Sequence, residues 1–220
     1  MELCKEDLHK HFITDGESGN RNPCKLKVTN VSYTTSLRHL VFISQQVFTA
    51  VAFLHSNSLI HKDLKLKNVM LSFDGIVKIA DFGLADIIEG DIEITKRWKG
   101  TRAYSAPEIR RGVGLKEYKF SSKSDVYNIG IMMLEMASGI AFWSNDKDIH
   151  QFHVYVDPPI EISDIVEELI EVRPEDRPSA SECAERLSKI LEQFKDDASN
   201  LSNIVEELSS GLQTLSLIHI

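Results

Sequence analysis

Cysteine is scarce in this chain: Cys4, Cys24 and Cys183 are the only three among 220 residues, odd in number and widely spaced. That pattern excludes a disulfide framework and gives no zinc-ligand spacing, so the thiols are expected to be reduced. Long uninterrupted apolar runs are also lacking. The greasiest stretch, Ile129 to Ala137, falls well short of the about 20 residues of a membrane-spanning helix, and no signal peptide opens the chain. Basic residues are in deficit, 25 against 33 acids for a net charge of −8, which argues against nucleic acid or an anionic membrane as a partner for the whole surface. The expectation is a cytoplasmic or nuclear protein with one hydrophobic core.

What is present reads as packed helices around one small hairpin. A short helical piece is expected around Lys5 to Phe12, followed by a polar stretch from Thr14 to Ser36 that reads as a surface loop. Leu37, Leu40, Val41, Val47, Phe48, Val51 and Leu54 then recur at helical spacing and predict a long helix with one buried face, ending near His55 to Ser58. The β-prone runs Val69 to Ser72 and Ile76 to Ala80, separated by Phe73, Asp74 and Gly75, predict a hairpin. With Asp74 and Gly75 as its two turn residues, Asn68 faces Asp81 across the open end, and two oxygen-bearing side chains converge there. A helix apolar on nearly every side spans Ser124 to Ala137, with Gly139 as its stop. A later helix opens on Ser179 with Glu182 three residues on, a capping box. The fold class is therefore mainly α (α+β): helices packed together, with one small β-hairpin. Past Phe194 the chain turns acidic and polar, and a second, amphipathic helix is conceivable over Leu201 to Leu212.

The chemistry concentrates in the string His61-Lys62-Asp63-Leu64-Lys65-Leu66-Lys67-Asn68, then Asp81-Phe82-Gly83, then Ala106-Pro107-Glu108. This ordered set resembles the protein kinases, whose pattern runs His-Arg-Asp to Asn, Asp-Phe-Gly and Ala-Pro-Glu, with Lys62 the one departure. Each tripeptide alone is weak; in this order and at this spacing the three are specific.

The resemblance implies residue roles. Asp63 stands at the position of the catalytic base, Asn68 and Asp81 at the ligands of Mg²⁺, and Lys65 where Ser/Thr kinases carry a lysine that stabilises charge on the transferred phosphate. Thr101, in Gly-Thr-Arg-Ala-Tyr-Ser-Ala-Pro-Glu, is implied to hydrogen-bond near Asp63 and Lys65 and help seat a Ser or Thr acceptor. Met1 stands at the gatekeeper position, Glu2 and Cys4 would offer backbone groups to the adenine of ATP, and Met70 would floor its pocket. His61 and Phe82 resemble the family's internal spine, and Asp125 the acid that holds the catalytic loop. Glu108 and Arg177 are expected to form a buried ion pair, and Thr95 is a candidate phosphorylation site with Lys62 as its cation.

No Gly-rich loop, no strand lysine and no glutamate-bearing partner helix precedes the catalytic string. Residues 1–194 therefore resemble the hinge and carboxy-terminal lobe of a kinase domain, 195–214 an acidic tail, and 215–220 an adapter-derived artefact. The implied function is ATP- and Mg²⁺-dependent phosphorylation of protein substrates, by a parent enzyme of which this chain is an inactive part. The alternative is a noncatalytic scaffold, either a pseudokinase or a truncated lobe.

Overall fold

The computed structural model describes residues 4–13, 30–90, 92–96, 99–115, 117–139 and 160–196. Strand β1 (Cys4–Asp7) leads into helix α1 (Leu8–Phe12), and helix α2 covers Asn30–Ser56. Five short strands follow: β2 (Leu59–Ile60), β3 (Val69–Ser72), β4 (Val77–Ile79), β5 (Asp86–Ile87) and β6 (Glu93–Thr95). Helix α3 (Pro107–Leu115), strand β7 (Tyr118–Phe120), helix α4 (Ser122–Ser138), helix α5 (Ile160–Leu169) and helix α6 (180–196) complete the described chain.

The core lies between α2, α4 and α5. The apolar stripe of α2 is buried as its spacing predicts, with Val41, Val47, Phe48 and Val51 fully enclosed. Helix α4 is buried from Ser124 to Met136. Ser121 and Ser124 cap its start reciprocally, and Gly139 ends it in the left-handed conformation (φ 67°), its N–H returning 2.8 Å to the Glu135 carbonyl. Gly130 is the point of closest approach to α5, since a Cβ there would lie 2.8 Å from the Leu169 Cβ. The capping box at Ser179 and Glu182 is also present, with the Ser179 N–H donating to the Glu182 carboxylate at 2.7 Å and the Glu182 N–H donating back to the Ser179 hydroxyl at 3.2 Å.

The structure corrects five expectations. The segment before α1 is a strand, because its backbone pairs antiparallel with the free edge of β3 (Glu6 opposite Leu71, Asp7 opposite Met70); the helix begins only after Asp7, whose carboxylate caps the Lys10 N–H at 2.9 Å. Helix α2 reaches back to Asn30, so the polar residues 30–36 extend the helix rather than join a loop; propagating an established helix adds one hydrogen bond per residue fixed, whatever the polarity. The hairpin is one residue out of the expected register: Val69 pairs with Ile79, so Asn68 faces Ala80 and not Asp81. Its loop has three residues, closed by Gly75 at φ 77°, and the glycine takes the left-handed place that such a turn requires. Two further small sheets, β2 with β5 and β6 with β7, stand beside the single hairpin foreseen. Finally, Leu37–Ser56 within α2 is long and apolar enough to cross a membrane by length and composition. In the fold it is a core helix, and the polar residues of its other face, among them Arg38, His39, Gln45 and Gln46, interrupt the apolar run in the sequence.

The expected helix at Leu201 to Leu212, the boundaries beyond residue 196 and most of the polar 14–36 stretch lie outside the described residues.

Candidate active site

The loop between β2 and β3 is fixed from below by one buried carboxylate. Asp125, at the start of α4 and fully buried, accepts the His61 N–H at 2.8 Å, the Lys62 N–H at 2.9 Å and the His55 imidazole at 3.0 Å. The clamp holds a chain reversal in which Lys62 takes a positive φ of 66°, a conformation that costs a non-glycine residue on the order of 1 kcal/mol or more. Leu64 and Leu66 anchor the loop into the core. Asp63 is thereby held in place, largely buried, and the His61 ring, itself buried, lies 5.1 Å from the Phe82 ring and bonds to the Ala80 carbonyl at 3.0 Å.

Every oxygen of the Asp63 carboxylate is engaged. Oδ1 accepts the Thr101 N–H at 2.9 Å and the Thr101 hydroxyl at 2.8 Å. Oδ2 accepts the Lys65 ammonium at 2.6 Å and the Asn68 amide at 3.2 Å. Lys65 also donates to the Thr101 Oγ1 at 3.0 Å, closing a three-residue ring, and Asn68 donates to the Asp63 carbonyl at 2.9 Å. The structure thus brings Asp63, Lys65, Asn68 and Thr101 together. Asp81 stands one position beyond the residue paired with Asn68, in the left-handed region (φ 60°), with its exposed carboxylate accepting the Gly83 N–H at 3.4 Å. An amide oxygen and a carboxylate at one end of a hairpin are hard donors of the kind Mg²⁺ takes, so the donor chemistry fits that ion.

Of the residues expected at the nucleotide, Cys4 and Met70 lie half-buried on the paired strands β1 and β3, and Glu2 is outside the described residues, as is Met1.

The segment carrying Thr101 is braced by residues that sequence inspection missed. The Tyr104 hydroxyl donates to the buried Glu135 carboxylate of α4, and the Asn128 amide donates to the Tyr104 carbonyl at 2.5 Å. Burial, helped by the Glu135 charge, pushes the Tyr104 phenol well above its ordinary range, so it stays a hydrogen-bond donor. The signal was available: Glu135 is the one acid within the apolar run Ile129 to Ala137 of α4, and such a group requires a partner. The expected Glu108–Arg177 pair is present and bidentate, at 2.9 and 2.8 Å, with the guanidinium fully buried against the Tyr127 ring and also bonded to the carbonyls of Lys123 and Glu171. Lys62 differs from expectation. Its ammonium is already engaged by two carboxylates, Asp86 at 3.2 Å and Glu93 at 2.5 Å, so the cation foreseen for a phosphate on Thr95 is neutralised.

Residues 1–207 match the family model described as the protein kinase domain. The chain is similar to cyclin-dependent kinase-like 2 of Rattus norvegicus (33% identical over 154 residues, 70% of this chain and 29% of that protein). It is similar also to the MAP kinase kinase kinase mkh1 of Schizosaccharomyces pombe (35% over 112 residues, 49% and 10%) and to a probable serine/threonine-protein kinase of Clostridium acetobutylicum (27% over 181 residues, 76% and 27%). The chain spans less than a third of the length of each of these relatives. The chain belongs to the protein kinase family.

Proposed function

We propose that this chain carries the catalytic and substrate-binding half of an ATP-dependent protein kinase acting on Ser or Thr, corresponding to the carboxy-terminal lobe, and that it is inactive by itself. The observation that carries the reading is the closed ring of Asp63, Lys65 and Thr101. A base for an acceptor hydroxyl must be aimed and ionised, and Asp63 is aimed by four donors, one of them a cation. The Thr101 hydroxyl marks the place beside Asp63 where an acceptor oxygen would be received. Lys65 would balance the charge that grows on the transferred group. Asn68 and Asp81 would hold Mg²⁺, which when bound neutralises charge on the phosphates of ATP. Cys4 and Met70 border the side of β1 and β3 assigned to the adenine.

Phosphoryl transfer is chiefly positioning and electrostatic stabilisation, and the phosphates need a second set of contacts that residues 1–194 do not contain in the family's usual motifs. The test is peptide phosphorylation with Mg²⁺ and ATP by this chain, by its Asp63→Asn variant, and by the parent protein with and without the same change. The expected result is activity only in the parent, reduced at least a hundredfold by Asp63→Asn. A parent that is inactive yet binds protein partners would favour a noncatalytic scaffold, and activity in the short chain that Asp63→Asn abolishes would show it to be sufficient.

A further inference from the structure

Lys62 leaves the catalytic loop and reaches the segment that follows Asp81-Phe82-Gly83. Its ammonium, largely enclosed, meets Asp86 of β5 at 3.2 Å and Glu93 of β6 at 2.5 Å, the latter a contact of charge without hydrogen-bond geometry, and lies 5.5 Å from the centre of the Phe120 ring of β7. Glu93 is opposite Phe120 in the β6–β7 pairing, and β5 pairs with β2, the strand that enters the catalytic loop. One cation therefore joins the residue before Asp63 to both of the strands that follow Asp81-Phe82-Gly83. The Lys62 hydrogen bond also holds the Asp86 carboxyl below its usual range, as expected of a carboxylate that is paired though largely exposed.

Kinase segments of this kind are commonly ordered by a phosphate that gives a basic residue its counter-charge. We propose that Glu93 and Asp86 supply that counter-charge permanently, so that Lys62 acts as a positioning residue and the segment is held next to Asp63 without phosphorylation. Two carboxylates carry about the charge of one phosphate group at neutral pH. They are covalently part of the segment they tether, and need no modifying enzyme. What the tether does for activity rests on the kinase reading above; the tether itself does not.

Hydrogen exchange of the full 220-residue chain tests the point without turnover. Glu93→Gln and Lys62→Met should each speed exchange of the β5 and β6 amides about fivefold, and the double variant should add little to either. Lys62→Arg should protect these strands as Lys62 does. All three residue types face the same backbone cost at the positive φ, so the contrast between Arg and Met reports charge. Amides of α4 serve as the folding control. If Lys62→Met unfolds the chain, Glu93→Gln, which leaves the catalytic loop untouched, decides. Unchanged exchange in Glu93→Gln would overturn the inference, as would phosphatase treatment that loosens β5 and β6 in the unsubstituted chain, since a phosphate would then be the tether. Loosened strands in a chain whose parent proves inactive would leave this inference standing while the functional reading fell.

Discussion

Cys183 lies fully buried in α6, and burial pushes its thiol up to about 12. Reactivity with a disulfide reagent follows the thiolate, so at pH 8 the native chain should leave Cys183 unlabelled and denaturant should expose it to full labelling. Mass mapping of the labelled peptide over time checks this; labelling of Cys183 in the native chain at the rate of a free thiol would contradict the packing of α6. Single residues were also where the sequence was most and least readable. Asp63, Lys65, Asn68 and Thr101 could be named because each is a polar type at a fixed offset in a specific string. Glu93 and Asp86 could not. Their role exists only because a turn at Lys62 sends its side chain across to two strands distant in sequence, and neither acid stands out among 33.

Elements foretold by periodicity or caps came out nearly as expected, and those set by pairing did not. Helix α4 announces itself through its apolar residues and Gly139, α6 through its capping box, and α2 through an apolar stripe that marks it only from Leu37 on. Strand β1 has no such signal, being a polar tetrapeptide recruited by the open edge of β3. The hairpin register turned on whether Gly75 is the second or the third residue of the turn, a choice that composition does not decide. Two measurements address these elements. The Ser179 backbone and hydroxyl donors hold Glu182 below the usual glutamate value of 4.5, so its contribution is present above that pH and is lost as pH falls through the lowered value. Denaturant midpoints of the chain and of Glu182→Gln should therefore differ most at pH 6 and converge toward pH 3; a constant difference would show that charge at the cap is irrelevant. Gly130→Ala drives a methyl into Leu169 and Ile170. Overpacking costs about 1–3 kcal/mol against a gain of about 1 kcal/mol in helix propensity, so urea unfolding should show net destabilisation. A more stable variant would mean that α5 can draw back freely.

For the molecule as a whole, Arg177 is the principal cross-tie. Its guanidinium joins Glu108 at the start of α3, the Lys123 carbonyl at the start of α4 and the Glu171 carbonyl after α5. Arg177→Met would strand the Glu108 charge and both of these carbonyls at once, and breaking a buried pair costs about 3–5 kcal/mol. The loss should appear as a lower midpoint of the single unfolding transition followed by circular dichroism. A separate early transition instead would mean that the tie is local.

The burial of α2 also has a history in time. Its apolar segment Leu37–Ser56 is covered by α4, whose last residue is Ser138. A ribosome adding about 5–20 residues per second needs roughly 4–16 s to make the intervening stretch. Throughout that interval the emerging chain displays a helix that hydropathy alone would assign to a lipid bilayer. Its correct fate depends on whichever reaches it first: its own later residues, a chaperone, or the machinery that delivers apolar segments to membranes.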